Sequence, residues 1–250
     1  MSSIGWLPAH RVLPAAVRLG TTTRHGGVSR GGCEALNLAT SVSDAPEAVA
    51  ENRNRLRAAL NLPSEPLWLK QVHGIRVHVD DGRSLPTEPC DAAVTAHPDR
   101  VLAILTADCL PVALMHRDGL RLGLAHAGWR GLAAGVIEAT LTALESPASE
   151  VIAWLGPAIG SSAFEVGDDV RAAFLDQAPE DRLFFAANAR GRWQADLAAL
   201  ARARLRRLGV TDVVDCGECT HSQPDRFYSH RRDPQSGRQA TLLWRHRQSR

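Results

Sequence analysis

The stretch "VLAILTADCLPVALMH", residues 101–116, decides the fold. Val101–Leu105 is an unbroken apolar run, the pattern of a strand buried on both faces. It opens onto Asp108 and Cys109, and a second apolar run follows Pro111. A third run, "LRLGLAHAGWRG" (120–131), ends at His126 before a Gly-flanked turn. Three such runs in close succession predict neighbouring strands.

Further strands are expected in "RVHVD" (76–80), "VIAWLG" (151–156), "VTDVVD" (210–215) and "ATLLWR" (240–245). Residues 43–61 predict a helix with Asp44 as N-cap, Pro46 in its first turn and Asn61 as its stop. "GLAAGVIEATLTALES" (131–146) carries Leu132, Val136, Ala139 and Ala143 at helical spacing. "GDDVRAAFLDQ" (167–177) reads as a capped helix. "ADLAALARARLRRLG" (195–209) has a stripe from Leu197 to Leu208, ends at Gly209, and shows a run of arginines expected on a solvated face. Strands cluster in the middle and helices do not alternate with them. This predicts an α+β single-domain sandwich with a mixed β-sheet and flanking helices, over residues 1–250.

Composition narrows the function. The net charge is +2, which gives no case for nucleic acid as a partner. Lys70 is the only lysine, so the cations are almost all arginines, suited to bidentate contacts with phosphate or carboxylate. Five cysteines at irregular spacing are not a disulfide framework. "MSSIGWLPAH" lacks the pattern of a secretory leader, and no apolar stretch reaches the ~20 residues that span a bilayer. A cytoplasmic protein with free thiols and no membrane partner is expected. There is no GxGxxG or Walker loop.

Three segments share one layout, a strand-like run ending in a metal-competent side chain: His73 in "WLKQVHG", Cys109 in "LTADC" and His126 in "LAHAGWRG". Two imidazoles and a thiolate suit zinc, and three protein ligands leave the fourth position for water or substrate. Bound zinc lowers the pKa of its water to about 7. Asp108 and Gln71 stand beside the ligands as supporting or substrate contacts. The same atoms admit a metal-free reading, with Cys109 as nucleophile and His126 as base of a hydrolase dyad. A buried structural thiol and a core histidine remain the plain alternatives.

Other motifs are ambiguous on their own. "TTTRHGGVSRGG" (21–32) is a loop in which Arg24 and His25 either bind an anion or sit in a solvated turn. "HAGWRG" puts Arg130 at a helix start, where anions are attracted, or tucks Trp129 into a packed turn. "DCGECTH" (215–221) holds a CxxC without the second ligand pair a structural zinc needs, and reads as a loop with Cys219 as a packing residue.

Taken together, "TRHGGVS", "LNL", "ENRNRL", "WLKQVHG", "LTADCLPV", "HAGWRGLAAGV", "AWLGPAIG", "FEVGDDV", "CTH" and "SHRRDPQSGRQATLLW" resemble the YfiH-type, or laccase-domain, family from about Thr21 to Trp244. The resemblance implies a fold similar to the catalytic domain of the cytotoxic necrotising factor deamidase toxins. It implies a zinc site of His73, Cys109 and His126, with copper as the alternative ion. It also implies a catalytic set of Cys109, His126 and Asp108, and substrate contacts at Arg24, Asn37, Gln71 and Arg130. The implied substrates are a purine nucleoside (adenosine, inosine or methylthioadenosine) and phosphate; the Gly-rich and helix-start settings of Arg24 and Arg130 lead us to expect phosphate on those two residues. Adenosine deamination and peptidoglycan-precursor editing are further family expectations; a homodimer is a separate expectation that the sequence does not fix. Members described as polyphenol oxidases would need His-x-His pairs, and none occurs among the ten histidines. The sequence departs from the family pattern in "RGGCEALNLATSVSD", where GPYxSLNLGxHVGD is usual, and in "FYSHRRD", where FFSYRRD is commoner. The first departure puts the substrate contacts of that loop in question.

Overall fold

The computed structural model describes residues 3–9 and 13–247. The reading of residues 1–10 as lacking a leader rests partly on residues outside that range. The strands are β1 (Trp6–Pro8), β2 (Val17–Thr22), β3 (Leu67–Trp68), β4 (Val77–Val79), β5 (Ala92–Thr95), β6 (Val101–Thr106) and β7 (Leu110–His116). They continue as β8 (Leu122–Ala127), β9 (Val151–Leu155), β10 (Glu165–Val166), β11 (Phe185–Ala187), β12 (Trp193–Ala195), β13 (Asp212–Asp215) and β14 (Gln239–Arg245). The helices are α1 (Pro46–Ala59), α2 (Trp129–Ala134), α3 (Val136–Leu144), α4 (Asp168–Leu175) and α5 (Leu197–Arg207).

Two mixed sheets face each other. One runs β1-β2-β14-β6-β3 and the other β13-β9-β7-β8-β5-β4; a small sheet, β10-β12-β11, lies apart. Most neighbours are antiparallel, and β3–β6, β4–β5 and β9–β13 are parallel. The period of two explains the layering. In β6, Leu102 and Ile104 pack between the sheets, while Val101 and Ala103 turn outward to the core shared with Leu56 of α1. In β7, Ala113 and Met115 face the first sheet, while Val112 and Leu114 meet the core built with α2 to α5. Apolar runs without alternation are thus strands covered on both faces, with a helix layer outside each sheet.

Strand β8 sets the site by the same rule. Leu122 and Leu124 face the inter-sheet core. His126 is next in that row and reaches the open end of the sandwich, opposite Pro111 in register. Cys109 lies two residues before Pro111, so the thiol enters beside the imidazole.

Three sequence expectations change. The N-cap of α1 is Ala45, not Asp44, whose Oδ2 instead accepts from Ser29 Oγ and Asn37 Nδ2. Pro46 does open the helix, and Asn61 lies just past its end at φ 48°. Residues 131–146 form two helices rather than one, because Gly135 adopts φ 104°, a left-handed conformation that glycine allows. The arginines of α5 are not all solvated. Arg204 is buried, donates to the carbonyls of Leu132 and Ala133 at the end of α2, and bonds Gln177 and Glu138. It adds a further donor to carbonyls that also accept from Gly135 N and Gln177 Nε2 around the break at Gly135. Asp196 caps α5 by accepting from Ala199 N.

Candidate metal centre and cleft

His73, Cys109 and His126 meet with their ligand atoms all within 4.8 Å of one another. Among the described residues this is the one group of three or more metal-competent side chains. Cys109 Sγ lies 3.7 Å from His73 Nε2, and the two imidazole rings stand 4.7 Å apart, edge to face. His126 is buried, Cys109 half-buried and His73 exposed, so the cluster opens to one side.

Asp91, which the sequence reading missed, builds the cluster. Its Oδ1 is 2.8 Å from His126 Nδ1, which leaves Nε2 of that ring for the cluster. The same carboxylate accepts from the backbone N–H groups of Val72, His73 and Gly74. Those bonds hold His73 at φ 60°, a conformation that costs a histidine of order 1–3 kcal/mol. One buried acid therefore orients both imidazoles. Its only sequence signal is an acid directly before the buried strand "AAVT".

Charge is arranged to suit a cation. Burial alone would push the Cys109 thiol up, but the imidazoles of His126 and His73 outweigh it and bring the pKa down to about 6. Burial opposes charge on His126, but Cys109 and Asp91 raise it to about 9. Burial likewise opposes charge on Asp91, and its bonds to His126 and the 72–74 amides hold it below the usual carboxylate range. Space is kept as well: a Cβ on Gly128 would stand 2.8 Å from His73 Cδ2 and 2.9 Å from Cys109 Sγ. Two imidazoles, one readily ionised thiol, an orienting carboxylate and a glycine-bared wall fit a divalent ion.

The cluster lies on a cleft of about 640 Å³. Arg53, Lys70, Arg130 and Arg238 line it, as does His230, and among the described residues no Asp or Glu does. Trp68 and Leu69 give it apolar wall, and Thr40 and Ser41 give it hydroxyls.

The expected substrate residues divide. Gln71 and Arg130 line the cleft. The amide of Gln71 is engaged in both directions by Leu105, donating to its O at 2.8 Å and accepting from its N at 2.9 Å. Arg130 stacks over Trp129 with its guanidinium 4.4 Å from the ring. Arg24 does not line the cleft: it donates to Glu34 O and Pro224 O and lies over Tyr228. Asn37 is fully buried behind the wall, bonded to Ala39, Asp44 and the N–H of Arg238. Asp108 sits at φ 92°, and its carboxylate accepts from Thr220 Oγ1, Ser229 Oγ and Arg231 N, behind Cys109 rather than in the cleft. Cys219 Sγ accepts from Gly160 N at 3.1 Å, and burial pushes the Cys216 thiol up to about 12. Arg53, Arg238 and His230 were not singled out, although they lie within the motifs "ENRNRL" and "SHRRDPQSGRQATLLW".

Residues 18–246 match the family described as multi-copper polyphenol oxidoreductase laccase. The chain is similar to a purine nucleoside phosphorylase of Pseudomonas aeruginosa, 49% identical over 241 residues, covering 96% of this chain and 98% of that one. It is 43% identical over 231 residues to the purine nucleoside phosphorylase YfiH of Escherichia coli, covering 92% and 95%. A crystal structure of a Neisseria meningitidis protein superposes with TM-score 0.91 at 42% identity, over 97% of this chain and all 100% of that one. YlmD of Geobacillus stearothermophilus superposes with TM-score 0.89 at 29% identity, over 99% and 98%.

Proposed function

We propose that this chain, which belongs to the multi-copper polyphenol oxidoreductase laccase family, is a zinc-dependent purine nucleoside phosphorylase acting on adenosine, inosine or S-methyl-5′-thioadenosine. The observation that carries the reading is a metal-competent cluster on a cleft lined by Arg53, Lys70, Arg130 and Arg238 and, among the described residues, by no carboxylate. Relatives named as purine nucleoside phosphorylases at up to 49% identity support it.

In the reaction a phosphate oxygen forms a bond to C1′ of the ribose, the N-glycosidic bond breaks, and its electron pair leaves with the purine, which takes up a proton. The chain has two tasks: to hold a phosphate against its own charge, and to steady the leaving base. Unpaired arginines in a recessed cleft do the first. His73, Cys109 and His126 would hold the ion, which when bound supplies Lewis acidity beside the substrate. Asp91 fixes the tautomer of His126 and the turn carrying His73. Asp108 is a positioning residue that pins Cys109 through the 220–231 segment. Zinc suits two imidazoles and a thiolate, with copper as the alternative. A multicopper oxidase centre needs several imidazole-rich clusters, and the described residues hold one such group. The five free thiols suit a reducing cytoplasm. No helix among the described residues is long and apolar enough to cross a membrane.

A second reading rests on the thiol at about 6 with an imidazole 3.7 Å away, the pairing of a Cys/His amidohydrolase. One assay separates the two. Purified protein given adenosine should release adenine and ribose 1-phosphate only when phosphate is present. Inosine formed without phosphate would mark deamination, and no ribose 1-phosphate under any condition would remove the phosphorylase reading.

A further inference from the structure

We propose that the phosphate subsite of this cleft is the wall formed by Arg53 and Arg238 with the hydroxyls of Thr40 and Ser41, and that buried Asn37 positions it. The proposal rests on the phosphorylase reading and names where its inorganic substrate sits.

The 37–39 segment holds both arginines. Arg53 donates to Leu38 O through Nε (3.0 Å) and Nη2 (2.8 Å), and its guanidinium stacks on Trp68 at 4.1 Å. That fixes the plane of the fork and leaves Nη1 without a hydrogen bond among the described residues. On the other side, Leu38 N donates to Arg238 O, and Arg238 N donates to Asn37 Oδ1 at 3.0 Å. The Arg238 guanidinium uses Nη1 on the carbonyls of Ser236 and Gly237, which leaves Nε and Nη2 to the cleft. Thr40 and Ser41 follow directly in the chain, are exposed on the same cleft, and make no side-chain hydrogen bond among the described residues.

Neither arginine has a carboxylate ion pair among the described residues. Burial disfavours the charge on both, opposed by Glu65 at Arg53 and by Cys109, Asp108 and Cys33 at Arg238. A half-buried guanidinium with free N–H groups and no anion gains most from an anion of matching geometry, and a tetrahedral oxyanion accepts from two forks at once. Arg130 differs, because it is exposed at the start of α2 and lies over Trp129. Asn37, expected to touch substrate, has its amide spent on Ala39, Asp44 and Arg238, so it acts by holding the wall in place.

The test uses the full chain and inorganic phosphate as probe. Phosphate should raise the melting temperature of the wild type, and Arg238→Met and Arg53→Met should each weaken that response at least about 10-fold in apparent affinity. Arg238→Lys keeps the charge but loses the fork, and should fall between; it also guards against misfolding of the methionine variant. In turnover, the variants should raise KM for phosphate about 10-fold or more and change KM for adenosine less than about 2-fold. Asn37→Ser should give the same KM split in milder form, a pattern that general loosening of the fold would not produce. An unchanged phosphate response in both methionine variants, or an equal rise in both KM values, overturns the subsite. If wild type binds phosphate through these residues yet releases no ribose 1-phosphate, the subsite stands and the phosphorylase reading fails.

Discussion

Two sets of arginines teach what this molecule is built to do. Along α5, Arg202, Arg204 and Arg207 are ion-paired with Asp215, Glu138 and Asp181. On the cleft, Arg53, Arg130 and Arg238 have no carboxylate ion pair among the described residues, and stacking on Trp68 and Trp129 takes the place of acids for two of them. The first set is satisfied from within the fold, so it stabilises. The second is held in shape without a carboxylate partner, the arrangement that the proposed phosphate subsite requires. The metal-competent cluster lies on the second region, and His73 within it sits at φ 60°.

The comparison breaks most sharply at the cluster itself. Cys109→Ser or His126→Ala should reduce ribose 1-phosphate release by more than about 100-fold, because loss of a ligand exceeds the loss of a supporting contact. Far-ultraviolet circular dichroism should stay close to wild type. Next comes Asp91→Asn, which keeps the shape but weakens the hold on both imidazoles. Zinc affinity, read by competition with a chelator, should drop about 10–100-fold. The satisfied region behaves in the opposite way. Arg204→Met should cost about 1–3 kcal/mol in urea unfolding, by removing its bonds to the α2 carbonyls and leaving Gln177 Oε1 and Glu138 without their guanidinium partner, while KM for phosphate stays unchanged.

The smallest effect is a pH dependence in another satisfied pair. Burial would raise the pKa of Asp80, but Arg100 and Thr95 bind its carboxylate and hold it below the usual range. A depressed carboxylate contributes stability that is present above its unfolded value and is lost as pH falls through its folded value. The melting-temperature gap between wild type and Asp80→Asn should therefore be level from pH 5 to 7 and narrow below about pH 4. A gap that widens in acid would contradict the assignment.

The sandwich was legible because its strands are covered on both faces: "VLAILT", "PVALMH" and "VIAWLG" carry apolar residues at odd and even positions alike. The turn at Gly135 was hidden, since Leu132 and Val136 keep helical spacing across it. The buried Arg204 was hidden because its carbonyl partners lie 71 and 72 residues away. His73, Cys109 and His126 stood out as strand-end side chains that the family resemblance joined. Asp91 works through contacts between distant segments, and Arg53 and Arg238, though inside the quoted motifs "ENRNRL" and "SHRRDPQSGRQATLLW", are placed by contacts to Leu38 and Asn37 that those motifs do not record. Arg24 and Asn37 belong to matching motifs, yet the fold spends one on carbonyls and the other behind the cleft wall.

The most direct trial of the central claim is a titration of zinc into metal-stripped protein, with ribose 1-phosphate release from adenosine measured at each step in the presence of phosphate. The account predicts activity rising in proportion to bound zinc and levelling at one ion per chain. Full phosphorolysis by the stripped protein before any zinc is added would contradict it.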